Sequence, residues 1–132
     1  SLILIGGGEH ARVVLDAVRS DSAWSVVGFV APDQVDDLVR LGVPWLGDDE
    51  TAIRNGQRDV SYVVAIGAVG KPGMRQAIVR RYAPGDPSWG TVIHASAVVS
   101  PDARLSPGVV VMAGAIVILR GVVDARAPVG LR

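Results

Sequence analysis

His10 and His94 are the only imidazoles in this 132-residue chain, and there is no cysteine. Histidine is the side chain that trades protons near neutral pH, and these 132 residues offer only these two. Thiolate nucleophiles, disulfides and cysteine metal sites are excluded, and two histidines do not make a His-rich metal site. His10 lies in the segment richest in chemical possibilities, Ile5-Gly6-Gly7-Gly8-Glu9-His10-Ala11-Arg12. Within it Gly6-x-Gly8-x-x-Ala11 has the spacing of a dinucleotide-binding turn. The glycines permit a tight turn and close backbone approach, and helix-terminal amides then face an anion. The alternative is a glycine turn with a purely structural role. Glu9 would repel a phosphate unless its carboxylate points outward. For NAD, the ribose-binding acid expected about twenty residues on would have to be Asp33, because Ala31 and Pro32 occupy the nearer positions. His10 falls in the first turn of the following helix, where the positive dipole end favours the neutral ring; it either meets a ligand or fills the helix start. Lys71 and Arg75 flank Pro72-Gly73. They could donate charge-assisted hydrogen bonds to a pyrophosphate, or be ordinary surface cations.

The elements that must position these residues alternate between strand and helix patterns. Leu2-Ile3-Leu4-Ile5 is a short apolar run, as expected of a strand buried on both faces. Over Arg12 to Arg19, the residues Val13, Val14, Ala17 and Val18 share one helical face. Val26 to Val30 reads as a second strand and Val35 to Leu41 as a short helix. Gly42 to Gly47 is a loop or edge segment, and Asp48-Asp49-Glu50 opens another helix. Val60 to Ile66 is the third strand, closed by Gly67. Pro72 stands where a first helical turn tolerates proline, ahead of Met74, Ala77, Ile78 and Tyr82 on one face. This alternation predicts a Rossmann-like α/β domain with a parallel sheet over residues 1–90.

The last 42 residues differ in kind. All six aromatics and 20 of the 26 charges lie before residue 91. From Ile93 the period becomes six: Ile93, Val99, Leu105, Val111, Val117, Val123 and Val129 open successive hexads. The fifth positions are Ala97, Ala103, Val109, Ala115, Gly121 and Ala127. Aliphatics at a fixed six-residue phase predict a solenoid of stacked turns, here a short β-helix over 91–132 with a core too narrow for rings. Two such coils leave an open apolar end, which predicts a homo-oligomer.

Thirteen cations balance thirteen anions, and the pI is near 6.7. Such a chain makes no basic field for nucleic acid or an anionic membrane surface. No apolar run is long enough to span a bilayer and no leader opens the sequence, so the expectation is a cytoplasmic protein without a metal.

The ordered set Ile5-Gly6-Gly7-Gly8-Glu9-His10-Ala11-Arg12-Val13-Val14-Leu15-Asp16, Val27-Gly28-Phe29-Val30, Ala65-Ile66-Gly67, Val92-Ile93-His94-Ala95-Ser96-Ala97-Val98-Val99-Ser100-Pro101 and Val111-Met112-Ala113-Gly114-Ala115 resembles one family. It is the bacterial sugar acyltransferases that include sialic acid O-acetyltransferases and PglD-type N-acetyltransferases of UDP-4-amino-sugars. The resemblance implies an N-terminal domain that binds a UDP-sugar, a left-handed parallel β-helix of hexapeptide repeats that binds acetyl-CoA, and a homotrimer. Gly6, Gly8, Glu9, His10, Asp33, Gly67, Lys71 and Arg75 are the substrate-binding candidates; the resemblance implies that His10 touches the substrate and that His94 is a corner residue. Acetyl transfer to an amine or hydroxyl needs a general base near neutral pH, and the family's histidine position falls at Ala125. Together with the few coils present, this leads to the expectation of a truncated enzyme that binds the sugar nucleotide. A nucleotide- or NAD-binding regulatory or oligomerisation module, and a chain that caps a longer homologue's trimer, are the competing readings.

Overall fold

The computed structural model describes residues 1–21, 23–56, 59–67 and 73–117, and the backbone of 121–123. Strands β1 (Leu2–Ile5), β2 (Val26–Val30), β3 (Ser61–Val64) and β4 (Ser88–Trp89) form one sheet in the order β2-β1-β3-β4. Every pairing in it is parallel, with Ile5 opposite Val30 on one side and Val64 on the other. Helices α1 (Glu9–Ser20), α2 (Asp36–Arg40), α3 (Asp49–Asn55) and α4 (Met74–Tyr82) connect the strands. A parallel connection requires such a crossover, and a sheet covered on both faces explains why β1 is apolar at every position.

The pleat divides β1 between two cores. Leu2 and Leu4 pack with Ala11, Val14, Leu15, Ala17 and Val18 of α1, while Ile3 and Ile5 pack with Tyr62, Ile78 and Tyr82 on the α4 side. On that second face Tyr62, Tyr82 and Trp89 form a triangle with ring centroids 5.6 to 6.5 Å apart. Helix α1 begins at Glu9, and its buried stripe includes Ala11 and Leu15. Val13, expected on that stripe, is 44% exposed. At about 100° per residue the row Ala11, Val14, Leu15 and Val18 follows the i, i+3, i+4, i+7 spacing of one face, and Val13 turns away from it.

Past the sheet come short strands β5 (Val92–Ile93), β6 (Val98–Val99), β7 (Ala103–Leu105), β8 (Val110–Val111), β9 (Ile116–Val117) and β10 (Gly121–Val123). Val92 pairs with Val110, Val98 with Ile116 and Ala103 with Gly121, all in parallel. Each strand therefore meets the one three hexads later. Ile93, Val99, Leu105, Val111 and Val117 gather with Ala97, Ala103, Val109 and Ala115 in a third apolar cluster. Val92 and Val110 belong instead to the α1-side core. Trp24 also joins the two regions, its indole N–H donating to Thr91 O at 2.9 Å.

Candidate functional site

The chain reverses its winding at β1: β2 lies on one side, β3 on the other. In open α/β sheets such a switch point leaves a crevice at the carboxyl ends of the strands. A cleft of about 280 Å³ occupies that place, lined by Ile5 and Gly6 from β1, Val30, Ala31 and Pro32 after β2, Ile66 after β3, Met74, Ala77, Ile78 and Arg81 of α4, and Asp49 of α3. A more open hollow of about 510 Å³ adjoins it and shares Pro32, Asp49 and Arg81.

The three consecutive glycines have three different reasons. Gly6 has φ +130°, and a Cβ there would sit 2.6 Å from Ala65 O, so both conformation and space demand glycine. A Cβ on Gly7 would fall 2.7 Å from a Val35 methyl. Gly8 is exposed. It has φ −86°, and nothing lies within 4 Å of a Cβ built on it. As the N-cap of α1 it offers no side-chain oxygen to the first-turn amides; its carbonyl accepts from Ala11 N–H at 3.1 Å, and the amides before Ala11 are the ones an anion could meet at such a helix start. Glu9 does not oppose that: its side chain is 90% exposed and pairs loosely with Arg12 at 3.8 Å.

His10 stands between α1 and the end of β3. A Cβ on Gly67 would lie 3.7 Å from the His10 Cβ. The His10 Nε2 atom is buried and has no hydrogen-bond partner among the described residues. Burial, and secondarily the Arg75 charge, push its pKa below the ordinary histidine value, so the ring is held neutral. Arg75 is only 4% exposed. It is thus not the surface cation that its place after Pro72-Gly73 suggested. Its Nη1 donates to Val64 O at 3.2 Å and Ile66 O at 2.8 Å, which ties α4 to the end of β3. Burial lowers its pKa as well.

The structure thus brings Gly6, Gly8, His10, Gly67 and Arg75 to the carboxyl ends of β1 and β3. Asp33 is exposed and does not line the cleft. Lys71 and Ala125 lie outside the described residues. Sequence reasoning missed Asp49, which appeared only as part of a helix start, and Arg81. Tyr82 Oη donates to Asp49 Oδ1 at 2.7 Å and Arg81 Nη1 donates to Asp49 Oδ2 at 3.1 Å. Burial, then the Asp49 bond, push the Tyr82 pKa up, so its hydroxyl stays a donor. Asp48, the true N-cap of α3, accepts from Thr51 N–H at 2.9 Å.

His94 lies at the junction of the two regions. Its Nδ1 accepts from Ser96 N–H and Ser96 O–H, both at 2.9 Å, and its Nε2 faces Asp16 Oδ2 of α1 at 3.5 Å. Ser96 Oγ in turn accepts from Gly114 N–H at 2.9 Å. Among the described residues no cluster of three or more His, Asp or Glu could hold a metal ion, and no helix is long and apolar enough to cross a membrane.

Residues 1–82 match the PglD N-terminal domain family. The UDP-N-acetylbacillosamine N-acetyltransferase of Bacillus subtilis is 30% identical over 118 residues, covering 86% of this chain and 51% of that protein. A structure of perosamine N-acetyltransferase from Caulobacter crescentus, in complex with CoA and GDP-perosamine, superposes with a TM-score of 0.79 at 35% identity. The superposition covers 95% of this chain and 58% of that one. The acetyltransferase domain of PglB from Neisseria gonorrhoeae, in complex with acetyl coenzyme A, gives 0.70 at 25% identity over 95% and 64%. This chain therefore spans about half to two thirds of the length of these relatives. The match across most of the sheet domain, glycine turn included, means that the chain belongs to the PglD N-terminal domain family.

Proposed function

We propose that this chain binds a nucleotide-linked amino sugar for acetyl transfer. In this reading residues 1–90 are the sugar-nucleotide domain, and 91–132 begin a left-handed parallel β-helix of hexapeptide repeats in a cytoplasmic homotrimer. The observation that carries it is the glycine turn between β1 and α1: Gly6 lines a cleft on the sheet's switch point, and α1 starts two residues after Gly7 without a side-chain cap. Unpaired amides of such a helix start suit a pyrophosphate, and neutral His10 stands behind the turn, beside Gly67. Eighteen-residue parallel pairing and the nine-residue aliphatic cluster support the β-helix.

The reaction is attack of the sugar amine on a thioester carbonyl, with loss of the amine proton to a base and departure of the thiol. The relatives point to acetyl-CoA as the donor. Arg104 is the one Lys or Arg among the described residues past 90, so no binding site for the coenzyme's phosphates is assigned in these coils. The base is likewise not assigned to a described residue: His94 is engaged by Ser96 and Asp16. An NAD-binding module is disfavoured because Ala31 and Pro32, not an acid, follow β2 into the cleft.

Titration calorimetry with UDP- and GDP-linked amino sugars, and with NAD beside them, tests this. Heat from a nucleotide sugar and none from NAD is expected. Silence from every nucleotide sugar at millimolar concentration would refute it.

A further inference from the structure

The cleft lies on the α4 side of the sheet, where Ile5, Val30, Ile66, Met74 and Ile78 share one core. The coil strands pack on the α1 side of the sheet, through Val92 and Val110. Asp49, Arg81 and the α4 residues of the cleft belong to the opposite side, where Ile78 and Tyr82 pack on Ile3 and Ile5. Gly6 of the glycine turn, Asp49 and Arg81 all line this one cleft, so a nucleotide whose phosphates lie at the turn brings its base to Asp49 and Arg81.

The groups waiting there have an order. Asp49 Oδ1 is held by the Tyr82 hydroxyl and Asp49 Oδ2 by the Arg81 guanidinium, so each oxygen keeps a lone pair while the carboxylate is fixed in place. Read along the edge, the array is acceptor, acceptor, donor. The Watson–Crick edge of guanine presents the complement: N2–H, N1–H, then the O6 acceptor. Uracil presents acceptor, donor, acceptor, which sets a carbonyl oxygen against the carboxylate. Pro32 and Ile53 supply apolar wall in the adjoining hollow, as a stacked purine requires.

We propose that Asp49, braced by Tyr82 and Arg81, is a specificity-determining residue that selects a guanosine-diphosphate-linked sugar over a uridine-diphosphate one. This rests on the nucleotide-sugar reading above, and its test separates the two. The purified chain is titrated calorimetrically with GDP and with UDP. A site built around hydrogen-bonding partners rejects the analogue that lacks them, so GDP is expected to bind roughly tenfold or more tightly. Asp49→Asn turns one acceptor into a donor and is expected to erase that preference while UDP affinity stays within about threefold. Arg81→Gln, at an exposed side chain, is expected to lower GDP affinity selectively with an unchanged thermal melt. Equal or tighter UDP binding, or equal loss of both nucleotides in Asp49→Asn, overturns the guanine assignment and leaves the sugar-nucleotide reading standing. Absence of heat from both nucleotides overturns that reading too.

Discussion

Gly6 and Gly8 look alike in sequence and do opposite work. At Gly6 a Cβ would meet Ala65 O and the left-handed φ disfavours any other residue, so Gly6→Ala should cost about 2 kcal/mol or more and lower the urea midpoint. Gly8 is extended with open space around it. There Gly8→Asp supplies the missing N-cap and should melt at or slightly above the parent temperature. It should also abolish measurable nucleotide binding, since the new carboxylate takes the amides and repels the phosphates. Normal nucleotide binding by a stable Gly8→Asp protein would remove the anion site from the α1 N-terminus. His10 contributes a pH signature. Burial, and then Arg75, depress its folded pKa below the ordinary 6.5, so the unfolded chain takes up the proton first. The stability carried by neutral His10 is complete above about pH 6.5 and is lost as pH falls below it. Melting temperatures measured between pH 7 and 5 should fall less steeply in His10→Gln than in the parent.

Among the elements, most of the strand–helix order was legible, because buried parallel strands are short continuous apolar runs and their helices carry a period of 3.6. His10 in the first turn of α1 was legible from the glycine turn before it, although Glu9-His10-Ala11 has no capping side chain ahead of it, the usual sequence mark of a helix start. The junction between the sheet and the coils was not legible. His94 connects through Ser96 to Gly114 one coil later, and through Nε2 to Asp16 of α1. The Ala95 N–H also donates to Ser20 Oγ. His94→Ala removes two hydrogen bonds at exposed Ser96, whose donors then turn to water, and should cost about 1 kcal/mol, whereas Asp16→Asn at an exposed 3.5 Å pair should stay within about 0.5 kcal/mol. Chemical denaturation of the two variants checks this ordering; equal effects would show that the ion pair, not the Ser96 bonds, is what matters.

For the whole molecule, the strongest external clue is the pair Val98 and Ile116. They face each other across β6 and β9, at 59% and 65% exposed, and two large aliphatics side by side on a coil face call for a covering surface. If that surface is the proposed trimer's, light scattering should return three times the 13.7 kDa chain mass, and Ile116→Lys should return the single chain. A monodisperse monomer from the parent would refute the trimer.

The sequence alone determined what depends on nearest neighbours and periodicity: the strand–helix alternation of a parallel sheet, the hexad phase whose positions reappear as one cluster, and the glycine turn between β1 and α1. Only the tertiary structure decided that Arg75 is buried, that Asp33 stands away from the cleft, and that Asp49 joins Arg81 and Tyr82 there. The Asp49 contacts join residues more than thirty positions apart, and the places of Arg75 and Asp33 depend on how the crossovers pack against the sheet. No local pattern encodes such distances; they are set when the sheet folds and both its faces are covered.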